Sequence, residues 1–446
     1  MDVPQFLESN IKSVTGCTEP IAVGYATSLA YSALLGNIKS SGDAFSFNGE
    51  ASEPDDHSLE RITIKTDRDV FKNAIAVLIP GTHGQRGMSI ASAMGLYCNP
   101  EKGLGIFNGV TEDVVAKANK ILKSEKVIVE KVTDDADKAN IDIQVNLLYR
   151  INGDTSFGHV RIKGAHDNVT LIQVDRNTIY EDSNSRPSIR EEVFPKTLEE
   201  MLEIVQNMNP ESKGSVYDGM TMNLEMAENG MRTDYGLRVG RALQSLVDQG
   251  VISYDLVTEV RIKAAAAGDA RMGGANMPVT TSAGSGNQGI TALVPILVVG
   301  QRNRVNKGKI SEAGMLSHLV TKYVSNHSGY LSAICGCAIK AGIGAAAGLA
   351  YLLGGDTKHI NNAINIMAAN ITGMICDGAK EGCALKLSTA AGTATESALM
   401  AISGMEVPPS NGIINQKAEI TIQNIGKIAK AMAPTDIEIV EIMQNK

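Results

Sequence analysis

The chain has 446 residues, 43% of them hydrophobic and 20% charged, with a formal net charge of −8. That length allows two or three domains with sizeable cores, and the acidic balance argues against nucleic-acid binding, which calls for a basic face. Aromatic residues make up only 4%, Trp is absent, and Gly (44) and Met (18) are abundant, so the core must close through small and aliphatic side chains.

Residues 2–37 show helical spacing of apolar positions, interrupted at Thr15–Gly16–Cys17–Thr18–Glu19–Pro20. Pro20 suits the first turn of a helix and Thr18 its cap, which places Cys17 at a helix N-terminus. The opening MDVPQFLESN is polar and lacks the apolar stretch of a secretory signal. From about 41 to 190 the period changes to two: LERITIKT, KVIVEKVT, IDIQVNLLYRI, FGHVRIKG and VTLIQVDRNTIYE alternate apolar and polar residues. Gly164–Ala165–His166–Asp167–Asn168 is a turn between two of them, so a sheet with hairpins is predicted. GMSIASAMGLY and VTEDVVAKANKILKSE supply helices, and SNSRPSIREEVFP is a linker. From about 195 onward the pattern is helical throughout, joined by Gly-rich loops.

The predicted fold class is therefore α+β. A mostly helical C-terminal catalytic domain (195–446) follows an α+β domain (41–190), itself inserted after an N-terminal helical segment (1–40) that packs on the catalytic domain. The longest apolar run, around 331–355, carries Lys340 and many Gly and Ala, as a buried core helix does. No membrane partner is expected. Six cysteines in so long a chain do not make a disulfide framework, and a reducing cytoplasm is the expected setting.

Three of those cysteines stand at element boundaries in the last quarter. Cys337 opens CAIKAGIGAAAGLAYLLGG, Cys376 closes a helical stretch in MICDGAKEGC, and Cys383 opens CALKLSTAAGTATESALMAISG. Asp356 is read as the cap of a helix running to about Ile375. Three thiolates without an obvious fourth suit a structural zinc site poorly. They suit an iron–sulfur cluster with one iron left open, and an open metal position is a Lewis acid, which points to lyase chemistry. Cys337 and Cys383 at helix N-termini, with Lys380 and Lys386 nearby, would sit in a field that favours thiolates. A single buried cysteine is ordinary; three flanked by glycines are what carries the inference. Cys335 offers a second thiol beside Cys337 and leaves that assignment open, while Cys98 is a bystander.

Gly284–Ser285–Gly286–Asn287–Gln288–Gly289 matches G-x-G-x-x-G, but the preceding MPVTTSA is not a convincing strand and no βαβ frame surrounds it. Ser282, Gly284, Ser285, Asn287 and the N–H groups of a helix start read instead as a carboxylate cradle; a tight helix junction that needs glycines is the alternative. Gly81–Gly87, with Arg86, offers either a second anion loop or a plain solvent loop. Cys17 beside Glu19, His327 and Lys380 are candidates for moving a proton.

SVTGCTEP, TSAGSGNQG and CGCAIKAGIGAAAGLAYLLGG…GMICDGAKEGCALKLSTA together resemble the L-cysteine desulfidase family, which is related to the α-subunit part of the iron–sulfur L-serine dehydratases. The resemblance covers nearly the whole chain for the former and roughly 195–446 for the latter. It implies a [4Fe–4S] cluster on Cys337, Cys376 and Cys383, and no pyridoxal phosphate. It implies β-elimination from a small amino acid: L-cysteine would yield sulfide and aminoacrylate, then pyruvate and ammonia. Cys337–Ala338–Ile339–Lys340–Ala341–Gly342 keeps the Cys-to-Gly spacing of a dehydratase cluster segment, which favours Cys337 over Cys335. The dehydratase C-D-P pattern becomes Cys376–Asp377–Gly378 with a shorter loop to Cys383, a departure that favours the desulfidase branch. Cys17 falls in the CTEP motif, where the resemblance implies an extra catalytic or cluster-facing thiol. An L-serine ammonia-lyase and a non-catalytic metal-binding or sensor protein are the competing readings. A homo-oligomer is compatible with all of them.

Overall fold

The computed structural model describes residues 2–42, 44–48, 53–55, 57–130, 141–182 and 194–446. The predicted linker falls mostly on residues 183–193, outside the described residues. The architecture is α+β, with a mixed sheet in the first half and helices throughout the second.

The chain opens with α1 (Val3–Asn10), a short strand β1 (Ser13–Thr15) and α2 (Thr18–Leu34). Every residue of α2 is buried, as expected of a helix apolar all round. The surface it fills is the sheet rather than the helical half. Gly158 lies so close to α2 that a Cβ there would stand 2.9 Å from the Ala30 carbonyl. Within the N-terminal segment, α2 thus packs mainly on the sheet half. α1 and β1 do reach the helical half: α1 packs on α7 (Pro210–Arg232), and β1 pairs antiparallel with β10 (Pro278–Thr280), the segment whose sequence looks unlike a strand.

A hairpin of β2 (Ile38–Ser41) and β3 (Ala44–Phe47) precedes β4 (Leu59–Thr66), α3 (Arg68–Ala74), α4 (Gly87–Gly95), α5 (Glu112–Lys123) and β5 (Val127–Val129). Then come β6 (Asp142–Ile151), β7 (Asp154–Lys163), β8 (Val169–Val174) and β9 (Asn177–Glu181). The sheet order is β5-β4-β6-β7-β8-β9, with β4 and β5 parallel and the other neighbours antiparallel. VTLIQVDRNTIYE, continuous in its alternation, is folded into a hairpin. Asp175 takes φ 53° and its carboxylate accepts from Phe157 N–H at 2.8 Å, so a polar side chain holds a left-handed turn that the period-two pattern hides.

The second half contains α6 (Leu198–Gln206), α7 (Pro210–Arg232), α8 (Val239–Asp248), α9 (Leu256–Met272), α10 (Gly286–Arg302) and α11 (Lys307–Ser328). After a π-helical turn, Gly336–Lys340, follow α12 (Ala341–Leu352), α13 (Thr357–Ile371), α14 (Cys383–Ile402), α15 (Ala418–Ala431) and α16 (Ala433–Gln444). Small residues let these helices approach closely. Ala264 to Ala267 are fully buried, and at Gly230 a Cβ would fall 2.0 Å from the Ala266 carbonyl oxygen. Asp356 caps α13, accepting from His359 N–H at 3.0 Å, but the helix stops at Ile371. Ile375 is then free to form an antiparallel bridge with Ile334. The last helix returns to the first half: buried Lys72 of α3 pairs with Asp436 of α16 at 2.6 Å. Among the described residues no helix is long and apolar enough to cross a membrane.

Candidate active site

A cleft with about 730 Å³ of empty space, part of it open to solvent, lies where the sheet half meets the helical half. Cys17, Cys335, Cys337, Cys376 and Cys383 all line it, while Cys98 lies in a separate cavity against Tyr97 and Asn99. All six cysteines are free thiols.

Each thiol arrives by a different route. The bridge between Ile334 and Ile375, with Cys335 N–H on Met374 O (2.8 Å) and Cys376 N–H on Ala333 O (2.7 Å), ties the two cysteine segments side by side. Cys337 is the second residue of the π-helical turn that runs directly into α12, so it stands at a helix start, in a π-helical rather than an α-helical first turn; such turns recur at functional sites. Cys383 is the first residue of α14, as predicted. The predicted thiolate-favouring field does not prevail there. Burial pushes Cys383 up to about 11 and raises Cys376, although Lys72 pulls the latter down. Only Cys335 moves the other way, down to about 6, because the Cys337 thiol donates to it while burial opposes and Lys386 assists. Its neighbour Cys337 is correspondingly raised.

The loop between Cys376 and Cys383 is pinned from outside. Asp377, opposed by burial but held by Lys380 and Lys386, drops to about 2. Arg86 grips Glu381 with two hydrogen bonds, 2.9 and 2.7 Å. The Gly81–Gly87 loop is therefore not an anion site: its guanidinium is already spent on a carboxylate. Gly378 takes φ +87°, and a Cβ there would sit 2.2 Å from Lys72 O. A proline, fixed near φ −65°, cannot occupy this position, which explains in this chain the departure from C-D-P.

The Gly-rich segment forms the opposite wall. Gly284, Ser285 and Asn287 line the cleft, but Ser282 does not: its hydroxyl is buried against His318 Nδ1 at 2.9 Å. The tight-junction reading of the glycines holds at α10. Gly289 lets α10 touch β10, where a Cβ would fall 1.8 Å from Thr280 O. At Gly284 (φ +79°) a Cβ would fall 1.3 Å from the Tyr330 hydroxyl, so this position admits only glycine.

Of the three candidates for proton movement, only Cys17 lines the cleft. Its Sγ donates to Glu19 Oε2 at 3.0 Å, and burial, then Glu19, hold the thiol well above its usual value. His327 is a correction: its ring packs 4.7 Å from Tyr323 and its carbonyl lies against Gly426 of α15, away from the cleft. Lys380 is another, turned to Asp377 at 2.6 Å and to the Asp377 and Gly378 carbonyls. The cationic and imidazole groups that do line the cleft are Lys340, Lys386, Arg271 and His166. Lys340 donates to Gly329 O (2.6 Å) and Tyr330 O (3.1 Å), and burial lowers it to about 8. His166 comes from the turn read as a simple connection; burial lowers it, and Glu19 stands 3.9 Å away. A charged residue ending an alanine-rich buried helix was a visible signal for Arg271. No local signal marked His166 or Tyr330.

Among the described residues no three His, Cys, Asp or Glu side chains are grouped to hold a single metal ion. A polynuclear cluster draws one thiolate per iron and takes ligands that stand apart. The donor set fits that kind of group: soft thiols facing one cleft, with Lys72, Lys340 and Lys386 near enough to interact with their charges.

Comparison with known proteins gives a consistent picture. The family described as serine dehydratase alpha chain matches residues 101–441, so the likeness begins well before the predicted residue 195 and takes in every strand of the six-stranded sheet except β4. Proteins named only UPF0597 are similar along their length. One from Desulfatibacillum aliphaticivorans is 35% identical, with 100% of this chain and 98% of the relative covered. One from Clostridium botulinum (strain Langeland) is 36% identical, covering 96% and 92%. One from Clostridioides difficile is 33% identical, covering 99% of each.

Proposed function

This chain belongs to the serine dehydratase alpha chain family, and from that premise we propose that it is a lyase that removes the β-substituent of a small amino acid, with L-cysteine as substrate and sulfide as leaving group. The observation that carries the reading is the gathering of Cys17, Cys335, Cys337, Cys376 and Cys383 on one cleft with a glycine-rich helix start.

Cys337, Cys376 and Cys383 would hold a [4Fe–4S] cluster, with Cys335 beside them as the alternative to Cys337. When bound, that group supplies Lewis acidity toward the departing sulfur. The remaining work falls to the chain. Ser285 and Asn287, at and just after the start of α10, orient the substrate. Cys17 Sγ accepts the α-proton as its own thiol proton passes to Glu19 Oε2, along the 3.0 Å hydrogen bond already in place. The electron pair of the C–H bond forms the C=C bond, the C–S bond breaks, and hydrosulfide departs. Water then hydrolyses aminoacrylate to pyruvate and ammonia. Gly284 and Tyr330 form one wall of the cleft.

The family match itself favours a second reading, elimination of water from L-serine. Protein isolated without oxygen, incubated with each amino acid and assayed for pyruvate, decides between them. Faster pyruvate from cysteine, with stoichiometric sulfide, supports the proposal. Turnover of serine alone refutes the substrate, and a metal-free protein active on cysteine refutes the cluster.

A further inference from the structure

We infer that Arg271 is the anchor for the substrate's α-carboxylate. This rests on the amino-acid lyase reading above and adds the group that recognises the substrate class. Arg271 ends α9 at the cleft and is only 3% exposed. One terminal nitrogen donates to Asn287 Oδ1 at 2.8 Å, with Met272 Sδ at 3.5 Å; the other donates to Gly16 O at 2.7 Å. These acceptors are all uncharged, and Nε is buried with no partner.

A buried guanidinium without an anion is costly, and removing the cost takes a negative partner with matching geometry. A carboxylate supplies both, through the paired oxygens that a planar fork receives. The place is prepared for one. The guanidinium lies over Gly286, where a Cβ would stand 2.5 Å from Nε, so the glycine at the first residue of α10 makes room for it. The unpaired N–H groups of that helix end add positive potential beside it. Two other side chains lining the cleft also carry buried, unpartnered polar atoms, Gln288 Oε1 and His166 Nε2. An unused acceptor near an unused cation is the complement of a zwitterion, whose ammonium donates and whose carboxylate accepts. Cys17, the proton acceptor proposed above, is near enough to Arg271 for the guanidinium to lower its pKa.

The test uses protein isolated without oxygen, with L-alanine and L-alaninamide as probes in titration calorimetry. L-Alanine has both α-groups and no leaving group; the amide lacks the carboxylate. Wild type is expected to bind L-alanine about 10²-fold more tightly than the amide, the size of a charge-assisted pair. Arg271→Gln is expected to lose that preference, and Arg271→Lys to keep part of it, both with wild-type iron content. Equal affinity of wild type for the two probes, or no binding of L-alanine, overturns the assignment. So does an Arg271→Gln protein that keeps the preference, or one that loses its iron, because the guanidinium would then serve to balance thiolate charge. Should that variant fail to fold, the wild-type pair of titrations and Arg271→Lys still decide. L-Alanine is not turned over, so Arg271-dependent binding without pyruvate from cysteine or serine supports the anchor while refuting the lyase reading.

Discussion

Arg86 and Glu381 face each other, and their two hydrogen bonds join the loop before α4 to the segment between Cys376 and Cys383. The pair is partly exposed, 43% and 22% at the two side chains, so solvent screening limits its worth. A double-mutant cycle with Arg86→Gln and Glu381→Gln is expected to return a coupling of about 0.5–1 kcal/mol in denaturant unfolding. A coupling of zero would show that the contact does not fasten the loop.

Gly378 is held at φ +87° against the Lys72 carbonyl. Gly378→Ala is expected to cost more than about 1 kcal/mol, since both the backbone region and the space are denied to a Cβ. The displaced segment carries Cys376, so iron content should fall with stability. Wild-type metal content and an unchanged unfolding midpoint in that variant would contradict this account.

The cysteines divide into two groups by position. Cys376→Ser and Cys383→Ser are each expected to lose the iron and the broad visible absorption of the oxygen-protected protein. Cys98→Ser, altered in a different cavity, should keep both. Comparing Cys335→Ser with Cys337→Ser by the same spectrum identifies which of the adjacent thiols is the ligand; full retention by the Cys376 or Cys383 variant would defeat the assignment.

Cys17 and Glu19 form the proposed proton path. Cys17→Ala and Glu19→Gln are each expected to reduce kcat by about 10²–10⁴-fold, the usual range for a positioned acid or base, with iron content unchanged. An effect confined to KM would assign the pair to substrate binding instead.

His318 is buried against Ser282, and burial lowers it to about 3. Above about pH 6.5 neither the folded nor the unfolded chain protonates it. Between there and its folded value the unfolded chain takes up a proton that the folded chain refuses, so stability falls with falling pH by about 1.4 kcal/mol per pH unit from this group. His318→Gln should remove that component, and the stability difference between variant and wild type should shrink on acidification from pH 7. Parallel stability curves would refute it.

Local chemistry made much of this molecule readable in advance. Period-two alternation in LERITIKT and IDIQVNLLYRI marked strands because a half-buried sheet imposes it. Asp356 marked a helix start because its carboxylate satisfies an open N–H. Cys383 stands where its flanking residues placed it, at the head of α14. What chain order alone could not decide was which side chains share a space. Cys17 and Cys383 stand 366 positions apart along the chain yet line one cleft, His166 enters it from a turn, and Lys380 and Arg86 are diverted from it by Asp377 and Glu381. Helix and strand propensities are set by neighbours in sequence. The roles of these charged and thiol groups are set by burial and by partners brought from elsewhere, which only packing determines.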